Sequence, residues 1–447
     1  MYKLFSVDDH IVEPADVWSS RVASKFKDRA PRVVEQDGRE FWLYEDERGL
    51  TMGLNAVAGL PREQWNSEPA RFADMIPGCY DPKARAHDLL SQGVLASVNF
   101  PTLPRFGGAL FSTFKDKELA SACVKAWNDF ILDEWCAGGP PGMFVPMIIC
   151  QIWDPVLAAK EIERCVAKGA KSLCFVENSV PLGLPSFHEE GHWDPIWRTA
   201  QDNGLPVCMH IGSSGAVPTP DPRAGLGLLI SLGSVAGILS MVNLLLSPVC
   251  ANFPELKIVW SEAGIGWIPA VLERCDRQVD RHHFHTGRYT DVKPSEIFQR
   301  QMYACMVEEP IGLKLWPMIG ENNILAETDY PHADTPFPST QEAYAEVFEG
   351  IPEHVVELVS HGNAERIFDW QMADEALLLS PDVSSWRATL ADDPFAATKL
   401  RHDVTGIERA ETSNTPGTPC RTMVLIGAMY QKCGETVGDD GHCPSGH

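Results

Sequence analysis

The chain has 447 residues, 44% hydrophobic and 22% charged, enough to bury a sizeable core in one large domain or two medium ones. A formal net charge of -24 argues against a nucleic-acid backbone or an anionic membrane surface as partner, leaving a small molecule or another protein. The 13 cysteines are scattered singly, several of them (Cys150, Cys174, Cys208, Cys305) inside apolar runs, with no framework spacing and no signal peptide, which predicts a reduced, cytoplasmic protein.

The first run, Leu4 to Val7, leads into SVDDHIVEP (Ser6 to Pro14), where Asp8, Asp9, His10 and Glu13 fall within six residues. So many acids are unfavourable to bury unless a cation offsets them. On a strand Asp8 and His10 share a face and Asp9 points away, forming a two-ligand prong; a turn with solvated acids is the simpler alternative. Arg39 to Gly53 then reads as a small hairpin, part of an insertion over about residues 31–80.

From Asp81 short apolar runs alternate with amphipathic stretches. The runs are Val94 to Phe100, Phe144 to Ile149, Ser172 to Val176, Pro206 to His210, Lys257 to Glu262, Met302 to Val307 and Ile324 to Thr328. The helices expected between them include Lys115 to Trp135, Pro155 to Ala167, His192 to Asn203, Gly233 to Leu246 and Ile268 to Val279. With Leu4 to Asp9 this makes eight strands, which predicts an α/β fold, a (β/α)8 TIM barrel over residues 1–370 closed by a helix at His354 to Asp369. An open doubly wound sheet ranks lower, because no glycine-rich phosphate loop follows the first strand. Ala224 to Phe253 carries no charge except one flanking arginine before it, yet its glycines, serines and Asn243 favour a buried helix or a subunit interface over a membrane span. Residues 371–447 lack a sustained period and read as a C-terminal extension, partly irregular. Its Cys420, Cys433, His442 and Cys443 match no common zinc spacing.

Catalytic groups of a parallel barrel lie at the carboxyl ends of its strands. The fifth run ends in His210, the sixth in Glu262, and the eighth in Asp329, followed by His332. Each alone is ordinary, but at matching ends of three strands, opposite the Asp8–His10 prong, they favour a metal site. Asp8, His10, Glu13, His210, Glu262 and Asp329 are the candidate ligands. Four carboxylates exceed what one zinc needs and suit manganese or iron, one or two ions per chain. Glu13 could bridge or orient His10, and Glu262 could merely cap the helix after it. Weaker candidates for substrate contact are His192, His332, Arg105 and Arg223; Glu177, after the fourth run, ranks low as a candidate bridging group, and His282, His283 and His285 should lie far from the site.

VDDHIVEP, LPVCMHIGSSG, SEAGIGWIP, TDYPHAD and GNAERIF, in this order over about residues 1 to 370, make the chain resemble the second amidohydrolase family, the branch of the resorcylate-type and aminocarboxymuconate-semialdehyde decarboxylases. The resemblance implies a metal-dependent TIM barrel, usually oligomeric, with Asp8 where the family often has His or Glu, His10 and His210 as ligands, and Asp329 as ligand and proton acceptor. It departs at Glu262, where such enzymes commonly carry a histidine that handles substrate or water. Asp329, Glu262 and His210 are thus the candidate catalytic residues. The expected activity is that of a hydrolase or nonoxidative decarboxylase of a small organic acid or ring compound. The alternatives are a dinuclear iron or manganese oxygenase on the same barrel and a non-catalytic subunit of a hetero-oligomer with a related chain; a homo-oligomer is the default.

Overall fold

The computed structural model describes residues 1–53, 55–65, 69–215, 220–221, 225–286, 291–400, 404, 406–409, 423–426 and 429–432. Twelve strands appear in chain order as far as the last barrel strand: β1 (Leu4–Ile11), β2 (Arg32–Gln36), β3 (Arg39–Tyr44), β4 (Glu47–Thr51), β5 (Val94–Pro101), β6 (Phe144–Val145), β7 (Met147–Ile148), β8 (Ser172–Val176), β9 (Val207–His210), β10 (Ile258–Ser261), β11 (Met302–Met306) and β12 (Ile324–Ala326). β1-β5-β6 and β7-β8-β9-β10-β11-β12 are parallel throughout. Pro146 separates β6 from β7, so these two are one run interrupted by a residue that cannot donate to a ladder. Counted this way, the eight expected runs are the eight barrel strands.

Parallel strands covered on both faces read as continuous apolar runs. Accordingly, every residue of β5, β8, β9, β10 and β11 is buried. β1 is equally buried although it carries Ser6, Asp8, Asp9 and His10, so its polar groups need partners inside the barrel. The ring closes between β12 and β1 through two backbone bonds, Asp329 N–H to the Asp8 carbonyl (2.8 Å) and His10 N–H to the Tyr330 carbonyl (2.7 Å).

The outer helices start where a capping acceptor precedes proline: Asp81 before Pro82–Ser91, Asp154 before Pro155–Val166 and Ser380 before Pro381–Asp392. The expected Lys115 to Trp135 helix begins two residues later, at Lys117, because Asp116 accepts the N–H groups of Glu118 and Leu119, and ends in a π-helical turn over Ile131–Trp135. The expected Ile268 to Val279 helix continues to Thr286 and carries His282, His283 and His285 on its last turns. The apolar stretch from residue 224 is broken into helices Gly225–Ser231, Gly233–Leu245 and Val249–Asn252. No helix among the described residues is long and apolar enough to cross a membrane. β2, β3 and β4 form the antiparallel insert beside the barrel. Beyond residue 370, the helix Pro381–Asp392 lies against Pro82–Ser91, and Glu408–Arg409 pairs in parallel with β2.

The loop after β5 dips into the barrel mouth. Arg105, Gly107 and Gly108 have φ of 56°, 68° and 76°. Gly107 donates to Cys174 Sγ at 2.9 Å, and a Cβ on it would meet the backbone of Phe175 and Val176 at 3.0 Å. Only glycine suits both the left-handed backbone and that approach. Gly107→Ala is expected to destabilise by about 2 kcal/mol, seen as a lower urea midpoint at unchanged slope.

Candidate metal centre

β1 sends Asp8 and His10 to the carboxyl end of the barrel, and β9 ends on His210. Glu262, just past β10, and Asp329, just past β12, both adopt left-handed backbone, φ 53° and 46°. Such a conformation is uncommon for a non-glycine residue and persists where surrounding structure holds it. Here it turns each carboxylate off the strand line towards the histidines.

His10 Nε2 lies 3.3 Å from Asp8 Oδ1 and 3.1 Å from Asp329 Oδ1. His210 Nε2 lies 3.4 Å from Asp8 Oδ2, 3.5 Å from Glu262 Oε2 and 3.3 Å from His10 Nε2. His332 Nδ1 is 3.1 Å from Asp329 Oδ1, and its ring stacks on His10 at 3.7 Å. The ligand atoms fall into two overlapping groups, Asp8–His10–His210 and His10–Asp329–His332, each within 4.8 Å.

The Ile211 carbonyl, 2.6 Å from His210 Nδ1, can only accept, so Nδ1 carries the hydrogen and Nε2 presents a lone pair to the centre. Burial pushes the His210 pKa down to about 3 and holds that of His10 well below its ordinary range, so both rings are neutral near pH 7. Burial first, and neighbouring carboxylates second, push Asp8, Asp329 and Glu262 well above the usual carboxylate range. All four carboxylate oxygens of Asp8 and Asp329 are buried without a hydrogen-bond donor among the described residues. Glu262 is near enough to Asp329 for the two to share a proton, but neither brings one when ionised. Lone pairs and acids converging in a buried place fit a divalent cation, which satisfies them together.

The amidohydrolase family model matches residues 40–370. The chain belongs to the amidohydrolase family. It is 23% identical over 344 residues to gamma-resorcylate decarboxylase of Polaromonas sp. (strain JS666 / ATCC BAA-500), covering 70% of this chain and 94% of that one. Among solved structures it is similar to amidohydrolase map2389c of Mycobacterium avium subsp. paratuberculosis K-10 (22% identity, 82% and 99% of the two chains, TM-score 0.65). It is also similar to 5-carboxyvanillate decarboxylase of Sphingomonas paucimobilis (23%, 83% and 100%, 0.57) and to dihydroxybenzoic acid decarboxylase of Polaromonas sp. JS666 with bound manganese and 2-nitroresorcinol (18%, 83% and 97%, 0.54). The amidohydrolase is therefore an enzyme with a TIM-barrel fold, and its converging donor atoms fit a divalent metal ion.

Of the expected site residues, the enzyme brings together Asp8, His10, His210, Glu262, Asp329 and His332. Glu13 stands outside the two ligand groups: its Oε1 accepts Thr102 N–H and Trp127 Nε1–H and its Oε2 accepts Leu103 N–H, so it braces the loop after β5. Glu262 is not a helix cap; Glu309 accepts the N–H groups of Ile265 and Gly266, leaving the Glu262 side chain to face His210. His192 packs edge-on against Trp193 and makes no described contact with the cluster. Arg105 lies beside Tyr44, where its charge opposes the burial that pushes that phenol up to about 12. Glu177 accepts Ser214 N–H and Oγ–H, tying β8 to the loop after His210. Arg223 and the extension's Cys420, Cys433, His442 and Cys443 lie outside the described residues.

Two neighbours escaped the sequence reading. Glu327, two positions before Asp329, is buried, and its Oε2 accepts Glu262 N–H at 3.3 Å. Strand parity could have flagged it. Phe106 stacks on His210 at 3.8 Å from a loop with no periodicity to announce it.

His10→Ala or His210→Ala should strip the metal from purified protein, measured by elemental analysis against wild type. Glu13→Gln turns an amide N–H towards other N–H groups and should destabilise by about 2 kcal/mol in denaturant titration while the metal content stays at the wild-type level.

Proposed function

We propose that this amidohydrolase is a nonoxidative decarboxylase of a hydroxylated aromatic carboxylic acid, with Asp8, His10, His210 and Asp329 holding one divalent ion, manganese by preference. The observation that carries the reading is the wall of the cluster: Phe106 lies flat on His210, Phe100 stands edge-on to it, and His332 lies flat on His10. Flat faces beside anchored oxygens suit a planar ring that bears a carboxylate. The decarboxylases named above, acting on gamma-resorcylate, 5-carboxyvanillate and dihydroxybenzoic acid, support the same class.

Bound there, the ion supplies a fixed positive charge for the substrate's carboxylate and a neighbouring ring oxygen. Phe106 and His332 hold the ring in plane. The bond between ring and carboxyl carbon breaks, its electron pair stays on the ring carbon, and carbon dioxide leaves. Asp329 delivers a proton from its side-chain oxygen to that carbon and is left ionised. Glu262, about one-fifth exposed, connects Asp329 with solvent and returns a proton to it.

Glu262 and the two overlapping ligand groups favour one second reading, a dinuclear iron or manganese oxygenase. Metal stoichiometry separates the two. The manganese-loaded enzyme should release carbon dioxide from 2,6-dihydroxybenzoate or 5-carboxyvanillate in equimolar amount with the decarboxylated phenol, and Asp329→Asn should lower turnover by about 100-fold or more. Two bound irons with oxygen uptake, or no gas from any hydroxybenzoate, would overturn the decarboxylase reading.

A further inference from the structure

The extension beyond residue 370 lies outside the matched family segment, yet it reaches within two hydrogen bonds of the metal cluster. Asp88, buried on the helix Pro82–Ser91, is the junction. Its Oδ1 accepts Trp386 Nε1–H at 2.8 Å, from the extension's helix Pro381–Asp392, and its Oδ2 accepts Tyr330 Oη–H at 2.7 Å. Tyr330 immediately follows Asp329.

Every other part of Tyr330 is held as well. Its N–H donates to Asp9 Oδ1 at 2.9 Å, its carbonyl accepts His10 N–H, and its ring lies 4.4 Å under the guanidinium of fully buried Arg85. Arg85 in turn donates to the carbonyls of Gly78 and His10. Gly78 closes the last side, since a Cβ there would come 2.1 Å from Tyr330 Oη and 2.4 Å from Asp88 Oδ2. The phenol thus has one place to go, and that place is defined by the Asp88 carboxylate.

At the outer end the Trp386 ring lies parallel to His87, 5.7 Å away, and Arg387 donates to the Ser91 carbonyl, so the extension's helix is pinned along Pro82–Ser91. Asp329 needs such an anchor. Its left-handed backbone costs energy, and among the described residues its carboxylate meets only other groups of the cluster itself, His10, His332 and Glu262, so its direction depends on how its backbone is held. We propose that Asp88 and Trp386 are positioning residues that set the direction of Asp329 towards the metal through Tyr330. The C-terminal extension is thereby part of the active-site architecture and more than an outer cover. The inference rests on the cluster holding a divalent ion and is independent of which acid is the substrate.

The test uses the full chain loaded with cobalt(II), whose visible absorption reports ligand geometry. Trp386→Phe keeps a ring against His87 but removes the donor, and Tyr330→Phe removes only the hydroxyl. Each should shift the cobalt band and weaken cobalt retention against a competing chelator by about tenfold, the low end of what loss of a ligand's supporting partner costs. The double variant should do no worse than the worse single one, since both cut the same path. Unchanged band and retention in Trp386→Phe would overturn the proposal, whatever happens to the melting temperature, because a merely structural contact lowers stability without altering the bound metal's spectrum. If Tyr330→Phe does not fold, Trp386→Phe, on an outer helix, decides alone. If wild type itself retains no cobalt, the metal reading falls and this proposal with it.

Discussion

The constraint on which the rest depends is that the barrel closes through the same residues that carry the metal cluster. Asp8 and His10 on β1 bond by their backbones to Asp329 and Tyr330, and the side chains of Asp8, His10 and Asp329 then converge. Register between the first and last strands therefore sets the site, because a slip of one residue would turn Asp8 and His10 away and bring Asp9 inward. Asp9 guards that register from the opposite face. It accepts Ser97 Oγ–H on β5 and, past β12, Thr328 Oγ1–H and Tyr330 N–H. One stretch of sequence thus provides ligands on one side and the lock that aligns them on the other.

This arrangement is costly by itself. Three carboxyls with raised pKa, two neutral imidazoles and two strained backbones occupy one buried place, and isolated charges there would be strongly unfavourable. A divalent ion offsets the carboxylates and gives the bare Nε2 of His210 a partner. Fold stability and metal loading should accordingly be linked in this enzyme. The surrounding shell is built to keep the ligands still while they await the ion. Ile211 fixes the His210 tautomer, Glu309 and Glu327 hold the turn of Glu262, and Glu13 braces the loop that delivers Phe106.

Glu262 gives the site its individual character. A carboxylate in the place where the family resemblance leads one to expect histidine sits beside Asp329 and at the solvent-facing edge of the cluster. In the proposed reaction it connects Asp329 with bulk protons, a task suited to two acids close enough to titrate together.

Read alone, the amino-acid sequence determined the order of eight apolar runs, and hence the barrel, because strands buried on both faces leave a continuous apolar signature. It also determined which strand ends carry ligand-type residues, since His210, Glu262 and Asp329 each close such a run. Tertiary structure decided what these side chains do. Glu13 has the composition of a ligand and the position of a brace, a distinction set by where the loop after β5 passes. Phe106 comes from a loop whose path depends on contacts with β8 that no local pattern encodes. The link from Trp386 through Asp88 to Tyr330 joins three segments separated by up to 298 positions, so no window of sequence could contain it. Local periodicity reports burial, whereas direction and partnership are settled only when distant strands close around one another.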